Sequence, residues 1–227
     1  MPELTHGLYV GLPTYDGKVD WRTMKGLINT ARLCAVKQFP FALDVIPGDC
    51  FIGKARNTIV KRFLDSGLSD LMFIDADIGF EVEAMKEIMR SDVDIVMGIY
   101  RTKTDTMRFP ALMYDPPIQH PADPRLIKMQ YGPAGFMRVR RRVFEAMIEK
   151  WPDDWCVAGE TGRMYDFFPH GREGNAFWGE DINFCRRAEQ CGFDIWAAQG
   201  VKLDHTGPKV YESDWRIMVP VENAEAA

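Results

Sequence analysis

Leu71-Met72-Phe73-Ile74-Asp75-Ala76-Asp77 decides how the rest of the chain is read. Four apolar residues run without a break into two carboxylates one residue apart. A continuous apolar run bounded by turn signals reads as a strand buried on both faces, as in a parallel sheet. Such a strand delivers Asp75 and Asp77 to the carboxyl edge of the sheet, where open α/β sheets collect their ligands. Like charges at this spacing repel unless a cation lies between them or their pKa values part. Mg²⁺ and Mn²⁺ choose oxygen ligands and bridge to substrate phosphates. The triplet fits two readings: a D-x-D metal site for a nucleotide diphosphate, or an acidic turn capping the next helix, where Glu81 and Glu83 follow.

Upstream, Gly7 to Leu12 predicts a first strand, stopped by Pro13 and the polar turn Thr14-Tyr15-Asp16-Gly17. Asp20 is the expected N-cap of a helix with Trp21, Met24, Leu27, Ile28 and Ala31 on one apolar face. Phe41, Leu43 and Val45 alternate as a second strand, and Gly53 to Leu64 follows as a helix ended by Ser66-Gly67. Downstream, Glu81 to Met89 predicts a helix and Val93 to Ile99 a fourth strand. Ala111 to Tyr114 and Leu126 to Tyr131 suit antiparallel strands. Arg140 to Lys150 and Glu180 to Cys191 are helices, and Phe193 to Ala197 is a last strand. Trp151 to Asn175 carries no clear period and reads as a long loop, a feature that is usually functional or mobile. Strands alternating with helices mean β-α-β units. The fold class expected is α/β, with residues 1–220 as one domain and 221–227 as a frayed tail.

Bulk properties exclude several classes. A 227-residue chain with 46% hydrophobic and 12% aromatic residues can bury one sizeable core, so it is not a disordered chain. A net charge of −5 argues against a general nucleic-acid-binding surface, which needs a basic face. No stretch approaches a membrane span, and the first residues lack the basic and apolar regions of a signal peptide. Five cysteines without a C-x-x-C pair suit buried free thiols in a reducing compartment. A cytoplasmic location follows as the expectation.

Two further elements carry chemistry. Trp178-Gly179-Glu180-Asp181 opens a helix with an acidic pair. Acidic residues in a first turn favour the macrodipole, so capping accounts for Glu180 and Asp181 but not for Trp178 and Gly179. Trp178 suits a platform for a sugar ring or a place in the core. A carboxylate at that helix start is placed to accept a proton from an acceptor hydroxyl. Lys202-Leu203-Asp204-His205-Thr206-Gly207 then sets a histidine before a glycine. An imidazole with two carboxylates makes a reasonable octahedral Mn²⁺ shell.

The order strand, D-A-D, W-G-E-D helix, strand, H-x-G resembles the GT-A glycosyltransferases, which use nucleotide sugars and have a single Rossmann-like domain. The likeness spans roughly Leu8 to Gly207. Weaker echoes are Pro13-Thr14-Tyr15, Ala55-Arg56-Asn57, Pro133-Ala134-Gly135-Phe136 and Tyr165-Asp166-Phe167-Phe168. The resemblance implies a GT-A fold with a mostly parallel central sheet, helices on both faces and a small antiparallel addition. It implies Mn²⁺ or Mg²⁺ held by Asp75, Asp77 and His205, with Asp77 the more direct ligand. The nucleotide cradle would be Pro13, Thr14, Tyr15 and Asp16, with Ala76 facing the donor; Arg56 would face the nucleotide or the D-x-D carboxylates, or else form a surface salt bridge with Glu or Asp. Trp178 would lie on the donor, and Gly135 would let the acceptor loop approach it. Asp181, with Glu180 beside it, would act near the acceptor. The donor would be a UDP- or GDP-sugar. Its hydroxyl acceptor is open, a modified nucleic-acid base included. Arg138, Arg140, Arg141 and Arg142 would either touch an anionic acceptor or form a solvated helix start, and Arg101 and Lys103 would either neutralise phosphate or not. Alternatives are nucleotidyl transfer, disfavoured because Leu12 to Gly17 lacks a glycine-rich basic loop, and a non-catalytic sugar-binding module.

Overall fold

The computed structural model describes residues 4–213. In chain order it runs β1 (Thr5–Thr14), α1 (Trp21–Val36), β2 (Phe41–Pro47), α2 (Ile52–Ser66), β3 (Leu68–Ile74), β4 (Ile78–Phe80), α3 (Val82–Arg90) and β5 (Ile95–Met97). A middle stretch follows of β6 (Leu112–Met113), β7 (Gln119–His120), β8 (Asp123–Tyr131), β9 (Phe136–Arg140) and α4 (Arg141–Lys150). The last part has β10 (Trp155–Val157), β11 (Arg163–Tyr165), β12 (Gly171–Glu173), β13 (Ala176–Trp178), α5 (Glu180–Gln190), β14 (Ile195–Ala198), β15 (Leu203–Thr206) and β16 (Val210–Ser213).

The main sheet has the order β2-β1-β3-β9-β5-β14-β8-β6. Strands β2, β1, β3, β5 and β14 run in one direction, and β9 is inserted antiparallel between β3 and β5. Alternate side chains explain why the strand sequences are apolar throughout. Leu71 and Phe73 enter one core, with Phe63, Phe144 and Phe184 of α2, α4 and α5. Met72 and Ile74 enter the other, with Leu27 of α1 and Met85 and Ile88 of α3. Helices therefore cover both faces. A small antiparallel sheet, β16-β15-β4, is added at the carboxyl edge. The architecture is of the α/β class expected, with helices on both sheet faces and a small antiparallel addition.

Several expectations are corrected. The face of α1 predicted to be inward is only partly so: Leu27 is buried as expected, but Trp21, Met24 and Ile28 are exposed, and the buried face is completed by Thr23, Gly26, Thr30 and Cys34. Close approach to β4 decides this. A Cβ on Gly26 would lie 2.7 Å from the Phe80 carbonyl oxygen, so a smooth small-residue face is needed there. Strand β9 was not expected, because Phe136 to Arg140 interleaves arginine with apolar residues. The stretch Trp151 to Asn175 forms two hairpins, β10–β11 and β12–β13, whose three-residue strands are too short to display a period. β14 is followed by β15 and β16, so it is not the last strand. Cys50 and Cys156 are exposed rather than buried, and all five cysteines are free. The tail at 221–227 lies outside the described residues.

Most of the arginine run is bound up within the fold, and only Arg142 stands as a solvated residue at the start of α4. Buried Arg138 donates to Asp70 Oδ1 at 2.9 Å and to the Ser91 and Val93 carbonyls at 2.9 and 2.7 Å. Arg141 caps the end of α2 and the start of β3, donating to the carbonyls of Phe63, Leu64 and Leu68 at 2.9, 3.1 and 2.9 Å. Arg140 and Arg142 pair with Asp92 and Asp94. All four are engaged within the fold near the amino end of β3, although Arg138 Nε is buried without a partner among the described residues.

Candidate functional site

The turn after β3 is pinned by three separate segments. Asp75 N–H donates to the Gly135 carbonyl at 2.9 Å, Asp20 N–H to the Ala76 carbonyl at 2.8 Å, and Thr206 N–H to the Asp77 carbonyl at 2.8 Å. Because β9 runs antiparallel, its first residues lie at the carboxyl ends of the parallel strands, which brings Gly135 against Asp75. Helices α2 and α5 start at the same edge and supply Arg56, Glu180 and Asp181.

Asp75 belongs to a buried charge network. Arg56, 3% exposed, donates from Nη2 to Asp75 Oδ1 and Oδ2 at 3.1 and 3.3 Å. The same Nη2 lies 3.9 Å from Glu180 Oε1, and His170 Nε2 lies 3.2 Å from Glu180 Oε2. Burial raises the pKa of Asp75; Arg56 opposes that rise. Arg56 Nε and Trp178 Nε1 are buried without a partner among the described residues, so the site retains donors for a polar ligand. Burial and the Asp75 charge hold the Tyr100 hydroxyl well above the usual phenol range. It therefore stays protonated. A Cβ on Gly135 would sit 2.5 Å from Asp75 Oδ2 and closer still to the Tyr100 oxygen, so only glycine fits.

Asp77 faces a different set. His205 Nε2 lies 3.7 Å from Asp77 Oδ1, and Lys103 Nζ sits on Asp77 Oδ2. His205 Nδ1 is 2.8 Å from the Arg101 carbonyl oxygen. A carbonyl can only accept, so Nδ1 carries the hydrogen. Burial lowers the pKa of His205, which leaves Nε2 a bare lone pair directed at a carboxylate. Two acceptors face each other there.

The residues expected to share a metal do not all converge. Among the described residues, no group of three or more His, Cys, Asp or Glu side chains is disposed to hold an ion. Asp75 is the departure: buried Arg56 requires a counter-charge and claims it. Asp77 and His205 remain. They fit a divalent ion, since a neutral imidazole fixed through its other nitrogen by a carbonyl is the usual state of a metal-ligating histidine.

Asp181 Oδ1 accepts from Ile182 N–H at 2.8 Å, and burial followed by the Glu180 charge raises its pKa. Trp178 is partly buried with the Arg186 guanidinium 5.3 Å above its ring. In the first-strand loop, Pro13 and Thr14 are buried; Thr14 Oγ1 donates to the Lys18 carbonyl at 2.8 Å and closes the turn. Tyr15 and Asp16 are exposed, Asp16 pairing with Lys18. His170, Tyr100 and the contact made by Lys103 were missed as site features. One sequence signal existed: Asn57, beside Arg56, donates to Asp166 Oδ1 at 2.7 Å and accepts from the Phe167 and Phe168 N–H groups, binding the Ala55-Arg56-Asn57 helix to the loop that leads into His170.

No family model matches the sequence, and no curated protein matches it. Among solved structures, A197 from STIV is 14% identical, with a TM-score of 0.56 over 92% of this chain and 94% of that one. That likeness shows a shared fold. The catalytic domain of Drosophila beta1,4galactosyltransferase 7 in complex with xylobiose is also 14% identical, with a TM-score of 0.49 over 98% of this chain and 76% of that one. A mutant of the same Drosophila enzyme, in complex with manganese, UDP-Gal and xylobiose, gives 14% identity and 0.47 over 98% and 77%. Among the described residues, no helix is long and apolar enough to cross a membrane.

Proposed function

We propose that the protein is a glycosyltransferase that moves a sugar from a UDP- or GDP-sugar to a hydroxyl acceptor and uses Mn²⁺ or Mg²⁺. One observation carries this reading: a bare His205 Nε2 and the Asp77 carboxylate face each other at the carboxyl edge of the sheet. Their mutual repulsion is relieved by a cation between them. Asp77 and His205 would hold that ion, which when bound would supply Lewis-acid stabilisation of the leaving diphosphate's charge. Arg56 fixes Asp75 so that its carboxylate can orient the donor's ribose and diphosphate side. Pro13 to Asp16 and Ala76 would border the nucleotide, and the unpartnered Trp178 Nε1 could donate to a sugar hydroxyl. Asp181 would take the acceptor proton if the anomeric centre inverts; Glu180, clamped between Arg56 and His170, would keep the start of α5 in place for it. Holding donor and acceptor in line supplies the rest of the rate as an orientational gain.

The test is release of nucleoside diphosphate from a panel of UDP- and GDP-sugars with Mn²⁺, against the same panel with chelator. Asp77→Ala and His205→Ala should each cut turnover by roughly 10²-fold or more while the circular dichroism spectrum is unchanged, the loss of several kcal/mol of Lewis-acid stabilisation. Full turnover in Asp77→Ala with chelator present would end the metal reading. Release of pyrophosphate instead would assign nucleotidyl transfer, and sugar binding without donor consumption would assign a binding module.

A further inference from the structure

Lys103 lies in the segment between β5 and β6 and reaches across to Asp77 Oδ2. Its route is built. A Cβ on Gly207 would lie 3.0 Å from Lys103 Cδ and 3.5 Å from Cγ, so the glycine of His205-Thr206-Gly207 is the slot through which the lysine stem passes. The surrounding loop is tied at both ends. Thr102 N–H donates to the Arg108 carbonyl at 2.8 Å, Arg101 Nη2 to the Thr104 carbonyl at 2.7 Å, and Lys209 pairs with Asp105. The Arg101 carbonyl, two residues before Lys103, also fixes His205. Loop and histidine therefore form one unit around Asp77.

The pair itself is exchangeable. Its side chains are 34% and 39% exposed, unlike the buried Arg56–Asp75 pair in the same turn. Half-exposed ion pairs contribute at most about 1 kcal/mol, so the ammonium can leave Asp77 at little cost. Lysine is also the cation suited to leaving: it is a point charge on a flexible stem, whereas a guanidinium is a fixed fork. A divalent ion and an ammonium cannot both neutralise the same carboxylate oxygen.

We infer that Lys103 is a place-holder cation: it occupies Asp77 while the site is empty, then moves through the Gly207 slot onto an oxygen of the donor's diphosphate. This rests on the donor and metal reading above. It gives the residue two partners, one in each state, and adds a second positive charge where leaving-group charge accumulates.

The experiment is Mn²⁺ titration followed by electron paramagnetic resonance, without nucleotide, on the parent protein, Lys103→Met, Gly207→Ala and Asp77→Asn. Lys103→Met should bind Mn²⁺ about fivefold tighter, the factor that corresponds to removing an exposed competing pair. Gly207→Ala, whose methyl group crowds the stem, should shift affinity in the same direction. With Mn²⁺ present, Lys103→Met should bind UDP at least about fivefold more weakly, the cost of one charge-assisted contact to phosphate. If Mn²⁺ binding depends on Asp77 but is the same in the parent protein and Lys103→Met, the place-holder role is wrong and the metal reading survives. If Mn²⁺ binding is indifferent to Asp77→Asn, both fall.

Discussion

Gly135→Ala is the sharpest single perturbation, because the structure sets its size. The new methyl group would lie 2.5 Å from Asp75 Oδ2 and 2.9 Å from Asp75 Cγ, with the Tyr100 hydroxyl nearer still. Carbon contacts settle near 3.5–4 Å, so one neighbour must retreat by roughly an ångström. Backbone cannot yield readily: the Gly135 carbonyl accepts from Asp75 N–H, and β9 is paired on both sides. Asp75 must turn, and its bonds to Arg56 lengthen. Overpacking of a filled interior costs about 1–3 kcal/mol. For a domain of this size each kcal/mol lowers Tm by roughly 2–4 °C, so a fall of about 2–12 °C is expected in thermal unfolding followed by circular dichroism. The same displacement moves the carboxylate assigned to the donor, so UDP affinity with Mn²⁺ should drop by at least about tenfold, some 1.4 kcal/mol. Gly171→Ala is the control, since its Cβ would meet only Asn183 Nδ2 at 3.5 Å, an ordinary contact. A Gly135→Ala protein with parental Tm and parental UDP affinity would refute the reasoning.

Three other outcomes separate scaffold from site. Arg138→Met leaves the buried Asp70 without its cation and should destabilise the protein by about 3–5 kcal/mol in urea unfolding, while donor affinity per folded molecule stays unchanged. Asp181→Asn should lower turnover by roughly 10²–10⁴-fold with donor affinity retained, as expected for loss of a general base. Because the folded-state pKa of Asp181 is raised, the stability this group contributes is full below its unfolded value and is lost as pH rises through the raised one. Asp181→Asn lacks that loss, so its stability relative to the parent protein should improve between acid and neutral pH in denaturant titrations.

What the sequence made legible follows from period and chemistry. Leu71 to Ile74 announced a strand because every residue is apolar and both sheet faces are covered. Ser66-Gly67 announced the end of α2 because Gly67 adopts a φ of 75°, a backbone conformation glycine takes without strain. The inward face of α1 was illegible for the opposite reason. Its packing is set by close approach of β4, which selects Thr23, Gly26 and Thr30 over larger apolar residues. Hydrophobic periodicity carries no trace of that. The basic run Arg138 to Arg142 misled because charge in sequence does not reveal a partner: Asp70 lies 68 residues away, and the carbonyls at the end of α2 are further still. His170 was hidden likewise, since its relation to Glu180 exists only through the fold of the β12–β13 region onto α5.

The two carboxylates of Asp75-Ala76-Asp77 are alike in sequence and divergent in setting, and that divergence organises the site. Asp75 faces a guanidinium that is always charged, almost wholly buried and anchored to α2. Its position is thereby fixed before any ligand arrives. Asp77 faces a neutral imidazole and a half-exposed ammonium, partners that repel a cation little or can leave. Fixed charge suits orientation, because it needs no reorganisation when substrate binds. Replaceable charge suits the exchangeable metal ion proposed for this site. Had both carboxylates been claimed by buried arginines, no cation could bind; had neither been, the empty site would carry unbalanced negative charge at the sheet edge. One of each satisfies both demands within three residues.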